Sequence, residues 1–218
     1  MKNIIFIAPP AAGKGTQAKL VSQEYNIPHI SIGEIMRNAR NPETEIGRII
    51  IKCQDERTLV PLDITLKLIK DRLSQSDCNN GYILDGFPRS IEQAHEYNKI
   101  LKELNKEIGV VIFMDIDKET ALKRTLSRVI CPTGGETYNL LIENLKPKKE
   151  NTCDKCGNNL KVRSDDNEKT FIKGFETYIN STVDLIDYYQ NLGCLYKLNV
   201  KDKSVEEVFE EVKRVLND

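Results

Sequence analysis

Ile4-Ile5-Phe6-Ile7-Ala8-Pro9-Pro10-Ala11-Ala12-Gly13-Lys14-Gly15-Thr16 decides the fold. Four β-branched or aromatic residues in succession read as a short strand buried on both faces, and Gly15 opens a helix-forming stretch that runs to Tyr25. A strand, a glycine-bearing turn and a helix N-terminus, in that order, make an anion cradle. Successive backbone N–H groups turn inward, the helix end adds its positive dipole, and Lys14 supplies a point charge suited to β and γ phosphates. Thr16 is the hydroxyl placed to approach a metal or an α-phosphate. The pattern departs from G-x-x-x-x-G-K-[ST], because Ala8 stands at the first glycine and the hydroxyl comes one residue late. Ala8 and Ala11 also carry Cβ atoms where such loops usually have none, so crowding of the backbone against phosphate is expected. The competing reading is an ordinary strand-to-helix turn, and the strand before and the helix after count against it.

Outward from this segment, short apolar runs at Tyr82 to Leu84, Val110 to Met114 and Leu195 to Leu198 have the same strand character. Between them, helical periodicity predicts helices over Leu62 to Ser74, Ile91 to Glu107, Lys118 to Arg128 and Lys169 to Gln190. Ser204 with Glu207 makes a capping box, and Val205, Val208, Phe209, Val212 and Leu216 fall on one face of a last helix. Alternating strands and helices predict an α/β fold with a doubly wound parallel sheet. Two stretches interrupt the alternation. The first, about Ile32 to Val60, is polar and helix-forming; the second, about Val129 to Arg163, is rich in Gly, Asn, Pro, Lys and Thr and holds three cysteines. Both read as insertions on the core.

The 218 residues carry 32 Lys and Arg against 33 Asp and Glu, a net charge of -1 that argues against a polybasic nucleic-acid binder or a membrane-surface protein. Six cysteines are too few for a disulfide scaffold in a chain this long. The apolar start is too short for a secretion signal, and no run reaches the roughly 18 apolar residues of a spanning helix. A cytoplasmic, reducing setting is the expectation.

Tyr82-Ile83-Leu84-Asp85-Gly86-Phe87-Pro88-Arg89 places an acid at the carboxyl end of a strand, followed by a turn and an arginine. An acid there, beside the phosphate loop, can hold the water shell of Mg²⁺. Taken alone, Asp85 reads as a turn residue and Arg89 as a surface charge; with the loop, both point to the crevice.

Gly13-Lys14-Gly15-Thr16-Gln17, Asp85-Gly86-Phe87-Pro88-Arg89 with Gln93, the pair Arg124 and Arg128, and Arg163 with Asp165-Asp166 together resemble the adenylate kinase family in its long-lid bacterial form. The resemblance spans essentially the whole chain. It implies a P-loop nucleoside triphosphate hydrolase-like core (1-30, 61-127 and 167-218), a helical NMP-binding insert (31-60) and a lid (128-166). It also implies reversible phosphoryl transfer from ATP-Mg to AMP, giving two ADP, by a monomer with no nucleic-acid or membrane partner. Ala11, Ala12, Gly13, Lys14, Gly15, Thr16, Arg124, Arg128, Thr137 and Tyr138 would then face ATP. Ile32, Arg37, Val60, Gly86, Arg89, Gln93 and Arg163 would face AMP. Lys14, Arg89, Arg128 and Arg163 would act on the transferring phosphoryl group, with Asp85 at the Mg²⁺ shell.

Four features depart from the family pattern. Ile32 replaces a hydroxyl that commonly touches AMP, and Gly174 stands where another arginine reaches the transferring phosphate. The phosphate loop is doubly substituted. In the lid, Cys131, Cys153 and Cys156 resemble a zinc-bearing set whose expected partner is Gly134, leaving three thiolates where a closed structural site takes four ligands. Asp154, Glu136 or a water could complete the set, and a metal-free lid is equally open. Two other readings stand beside adenylate kinase: another nucleoside monophosphate kinase, and a nucleotide-binding homologue with weak turnover.

Overall fold

The computed structural model describes residues 3–56, 58, 60–163 and 165–217. Of the two expected insertions, Arg57 and Leu59 in the first and Ser164 in the second lie outside the described residues, as do Met1 and Lys2 at the start. In chain order the elements are β1 (Ile4–Ile7), α1 (Lys14–Tyr25), β2 (His29–Ser31), α2 (Ile32–Asn38), α3 (Glu45–Asp55), α4 (Leu62–Leu73), β3 (Ile83–Asp85) and α5 (Ile91–Glu103). They continue with β4 (Val110–Asp115), α6 (Lys118–Leu126), β5 (Arg128–Ile130), β6 (Thr137–Asn139), α7 (Glu168–Asn191), β7 (Leu195–Asn199) and α8 (Val205–Asn217).

Five strands form one sheet in the order β2-β3-β1-β4-β7, every neighbouring pair parallel. The period-2 alternation of strand side chains then sorts the apolar residues onto two faces. Ile4 and Phe6 of β1, with Val110 and Ile112 of β4, pack under Ala18 and Val21 of α1 and Val208, Val212 and Leu216 of α8. Ile5 and Ile7, with Val111, pack on the opposite face under Ile69 and Leu73 of α4, Tyr97 and Leu101 of α5, and Leu185 and Tyr189 of α7. Burial on both faces explains why these strands read as unbroken apolar runs. β5 and β6 form a separate antiparallel hairpin with its own small apolar cluster.

Helix starts follow local chemistry. Ser90, Asp117 and Asn167 each accept a hydrogen bond from the third residue of the helix that follows, which satisfies one orphan N–H of α5, α6 and α7. The Ser204–Glu207 box closes reciprocally at 2.7 and 3.1 Å and starts α8. Against these, α1 begins at Gly13 with no side-chain cap and no acid in its first turn, which leaves its N-terminal N–H groups directed at the sheet's carboxyl edge.

Beyond one-residue shifts at several element ends, two helix ends differ from the sequence reading and one strand of the main sheet is additional to it. α5 stops at Glu103 rather than Glu107, because Asn105 takes a left-handed conformation at φ 50° and Lys106 N–H returns to the Leu101 carbonyl at 2.8 Å. α6 ends at Leu126, so Arg128 opens β5 instead of closing a helix. β2 was not anticipated; three residues, of which only Ile30 is buried, carry too little periodicity to register.

The Tyr82 and Tyr97 hydroxyls meet at 2.6 Å in a fully buried site. Tyr97→Phe leaves the Tyr82 hydroxyl without that partner and should cost about 1–3 kcal/mol in denaturant unfolding. The double variant Tyr82→Phe/Tyr97→Phe should recover most of the loss; a double variant weaker than either single one would show that packing, not the hydroxyl pair, sets the cost.

Candidate active site

The carboxyl ends of β1, β3 and β4 open into a cleft of about 810 Å³ lined by the loop from Ala8 to Thr16, Asp85, Gly86, Arg89, Arg124, Arg128, Thr137, Tyr138 and Arg163. This is where a doubly wound sheet places its ligands. The loop folds as a cradle in spite of its substitutions. Ala11 lies in the left-handed region at φ 59° and Gly13 at φ 91°. A left-handed alanine is strained by roughly 1 kcal/mol, so the loop keeps a turn that suits glycine while carrying a methyl.

Asp85 is the electrostatic centre of the cleft. Its Oδ1 lies 3.0 Å from Lys14 Nζ, and its Oδ2 lies 3.1 Å from His29 Nε2. Burial opposes ionisation of this carboxyl, yet the His29 hydrogen bond and the Lys14 charge outweigh it and hold Asp85 well below the usual carboxylate range. The parallel register sets Asp85 beside Phe6 on one side and Ser31 on the other; His29, at the start of β2 and opposite Ile83, extends its ring to Asp85, and Lys14, the first residue of α1, reaches it from the loop after β1. His29 is a site residue that the sequence reading passed over, because the strand that carries it is too short to be seen.

The arginines are held in different ways. Arg89 Nε donates to the Gly86 carbonyl at 2.7 Å. Arg124 donates to the Val200 and Lys201 carbonyls at 3.1 and 2.9 Å. Arg128 forks onto the buried Asp166 carboxylate, with Nε at 2.8 Å from Oδ2 and Nη2 on Oδ1. Arg163 forks onto Asp165 at 3.1 and 3.0 Å. Two arginine–carboxylate pairs therefore flank the root of the β5–β6 segment.

The cleft wall does not include Ile32, Arg37, Val60 or Gln93. Ile32 starts α2 and joins the apolar cluster under α5, reaching toward Gly86. Arg37 lies exposed in the last turn of α2, its guanidinium folded back toward Gly33. Gln93 Oε1 accepts from Arg89 N–H at 2.7 Å, which ties the first turn of α5 to the segment after β3. Gly174 does line the cleft, and an added Cβ there would meet nothing within 4 Å.

In the hairpin segment, Cys131, Cys153 and Cys156 bring their sulfurs within 4.8 Å of one another, Cys131 and Cys156 at 3.4 Å. Tetrahedral zinc with Zn–S near 2.3 Å sets its sulfurs roughly 3.8 Å apart, so the three thiols fit the metal. Tyr138 is buried here, with its hydroxyl donating to Cys153 Sγ at 3.5 Å and accepting Asp154 N–H at 2.9 Å. That hydroxyl, helped by the Cys156 and Lys155 N–H groups, draws the Cys153 thiol down to about 7 against the opposing effect of desolvation. Thiolate is the ligating form.

The chain matches known proteins over nearly its full length. A family model described as adenylate kinase covers residues 6–194. The adenylate kinase of Caldanaerobacter subterraneus subsp. tengcongensis is 41% identical over 213 residues, which span 98% of this chain and 95% of that protein. The adenylate kinase of Archaeoglobus fulgidus is 43% identical over 214 residues (98% and 97%), and that of Bacillus cytotoxicus 42% over 210 (96% and 96%).

The Asp85 cluster has a pH signature. A carboxyl whose folded-state pKa is depressed contributes stability above its unfolded value, near 4, and loses it as the pH falls through the folded value. Asp85→Asn should therefore be less stable than the parent by about 2 kcal/mol at pH 7. The gap should narrow steadily in denaturant titrations below about pH 4; a gap independent of pH would remove the ionised carboxylate from the account.

Proposed function

Because the chain belongs to the adenylate kinase family, we propose that it transfers the terminal phosphoryl group of ATP, bound with Mg²⁺, reversibly to AMP, giving two ADP. The observation that supports this most is the convergence in one cleft of an anion cradle, the Lys14–Asp85 pair and Arg89, Arg124, Arg128 and Arg163. In this reading the backbone from Ala11 to Thr16 and the Lys14 ammonium hold the donor phosphates, with Arg124, Thr137 and Tyr138 beside the donor. Arg37 and Arg89 hold the acceptor phosphate, Val60 and Gly86 offer main-chain contacts, Gln93 meets the adenine edge, and Ile32 offers only apolar contact.

Phosphoryl transfer passes through a loose transition state with charge spread over equatorial oxygens, so fixed cations do most of the work. Arg128 and Arg163, oriented by their aspartate forks, clamp the donor side. Asp85 would hold the water shell of Mg²⁺, which when bound neutralises charge between the β- and γ-phosphate oxygens. Donor phosphate competes with Asp85 for Lys14. The segments 31-60 and 128-166 close over acceptor and donor and exclude water, which suppresses hydrolysis. Cys131, Cys153 and Cys156 would hold zinc, and the bound metal would fasten the second segment. A cytoplasmic monomer is what the family pattern implies; no described helix is long and apolar enough to cross a membrane.

A coupled assay of ADP formation with AMP, CMP, UMP and GMP as acceptors should show turnover with AMP alone. Comparable rates with another monophosphate would overturn the acceptor assignment, and binding of ATP and AMP without turnover would overturn the kinase. Gly174 removes one cation from the cleft wall, and the open space around it admits a long side chain. Gly174→Arg should raise kcat at least about tenfold; an unchanged kcat means that position 174 does not limit the reaction.

A further inference from the structure

The sulfur cluster is built from two turns of the same form. In the first, Gly135 N–H returns to the Cys131 carbonyl at 3.0 Å; in the second, Gly157 N–H returns to the Cys153 carbonyl at 2.9 Å. Both glycines are left-handed, at φ 68° and 73°. The Gly134 N–H points at Cys131 Sγ at 3.4 Å. The second turn presents a thiol at its first and fourth residues, Cys153 and Cys156. The first presents Cys131 and then Gly134, so its fourth residue has no side chain to offer.

The space that a side chain at position 134 would enter is filled. Glu136 Oε2 occupies the place where a Cβ of residue 134 would stand, and the carboxyl carbon lies 3.3 Å from it. Glu136 Oε1 is 2.9 Å from Lys155 Nζ, on the second turn. The carboxylate thus takes the place of a side chain at position 134 and reaches across to the second turn, while staying outside the group of three sulfurs that lie within 4.8 Å of one another. Asp154, the other acid nearby, is committed elsewhere: its Oδ1 accepts the Lys148 N–H at 2.9 Å.

We propose that Glu136 supplies the fourth ligand of a Cys₃Glu zinc site, a carboxylate oxygen standing in for the side chain that Gly134 lacks. This rests on the zinc-bearing reading of the segment given above. Carboxylate oxygen is an ordinary zinc donor, and four-coordinate closure is what a structural site requires. A glutamate has three rotatable side-chain bonds, so its carboxylate can swing from Lys155 onto the cation without moving the turn. Three thiolates and one carboxylate around Zn²⁺ leave an excess of negative charge, and the Lys155 ammonium lies where it offsets part of it. The segment needs such a fastening. Its apolar cluster consists of Val129, Cys131, Tyr138, Cys153 and Leu160, and two of those five are the thiols themselves. Units of this size rarely hold together on so small a core without a metal or a cross-link.

The test uses the full chain, kept reduced and titrated with Zn²⁺ or Co²⁺. The parent should bind one equivalent, and its Co²⁺ form should show the d–d bands of a tetrahedral site with a mixed sulfur and oxygen donor set. Glu136→Gln should weaken Zn²⁺ at least tenfold and shift those bands, whereas Asp154→Asn should change affinity less than about threefold. Adding Gly134→Cys to Glu136→Gln should restore tight binding and move the Co²⁺ spectrum to that of an all-sulfur site, which also guards against a variant that merely fails to fold. A parent that binds no metal overturns the zinc reading itself. A parent that binds one equivalent, with Glu136→Gln matching it in affinity and spectrum, leaves that reading in place and overturns the role of Glu136.

Discussion

The ion pair between Lys14 and Asp85, with His29 on the second carboxylate oxygen, is the constraint on which the cleft depends. It joins the first residue of β2, the last residue of β3 and the first residue of α1, and it forms because β1 and β2 flank β3 in parallel, which brings the helix after β1 to the end of β3 and leaves the His29 ring within reach of Asp85. Without Asp85, the side chain of Lys14 would face a cleft of like charge, since the other charged groups gathered there are, apart from Glu136, arginines and lysines. An ionised acid at the centre lets the cations be assembled before any phosphate arrives. The carboxylate is a stand-in for the anion to come.

The same logic governs the second segment. Arg128 and Arg163 are each held by a neighbouring aspartate, and the Asp166 side chain is almost fully buried at 2% exposure while Asp165 is half exposed at 53%. Arg128 is therefore the more firmly oriented of the two. A fork onto a buried carboxylate fixes a guanidinium plane in a way that a solvated pair does not. In the net charge of -1 these pairs cancel, which is why composition speaks only against a broadly basic surface and is silent on a cationic cleft.

The core was legible because its physics is local. Ile4 to Ile7 and Val110 to Ile112 are buried on both faces, so their strand character is written in consecutive residues, and the caps at Ser204 and Glu207 are readable as a pair. Phosphate-loop and strand-end motifs were legible for the same reason. What escaped was set by tertiary contact. β2 exists because His29, Ile30 and Ser31 pair with β3, not because three residues prefer extension. The commitment of Arg124 to the carbonyls that follow β7 depends on which segments the fold brings together, and no spacing encodes it.

Tyr138 links the two halves of the molecule's chemistry. It belongs both to the wall of the cleft and to the cluster with Cys131 and Cys153, and its hydroxyl is fixed between the Cys153 sulfur and the Asp154 amide. Tyr138, and with it the neighbouring Thr137, both among the hairpin residues that line the cleft, are thus positioned by the sulfur cluster rather than by the main core. Their placement then depends on how firmly the two turns are joined. With three thiols and no fourth donor, the first turn is anchored by Cys131 alone; closing the set through Glu136 ties the residue just before β6 directly to the second turn. A ligand at position 136 lies two residues from Tyr138, closer along β6 than a thiol at position 134 would be. The substitution of Gly134 is therefore not only a loss that Glu136 offsets; it moves the anchor toward the residues that meet the cleft.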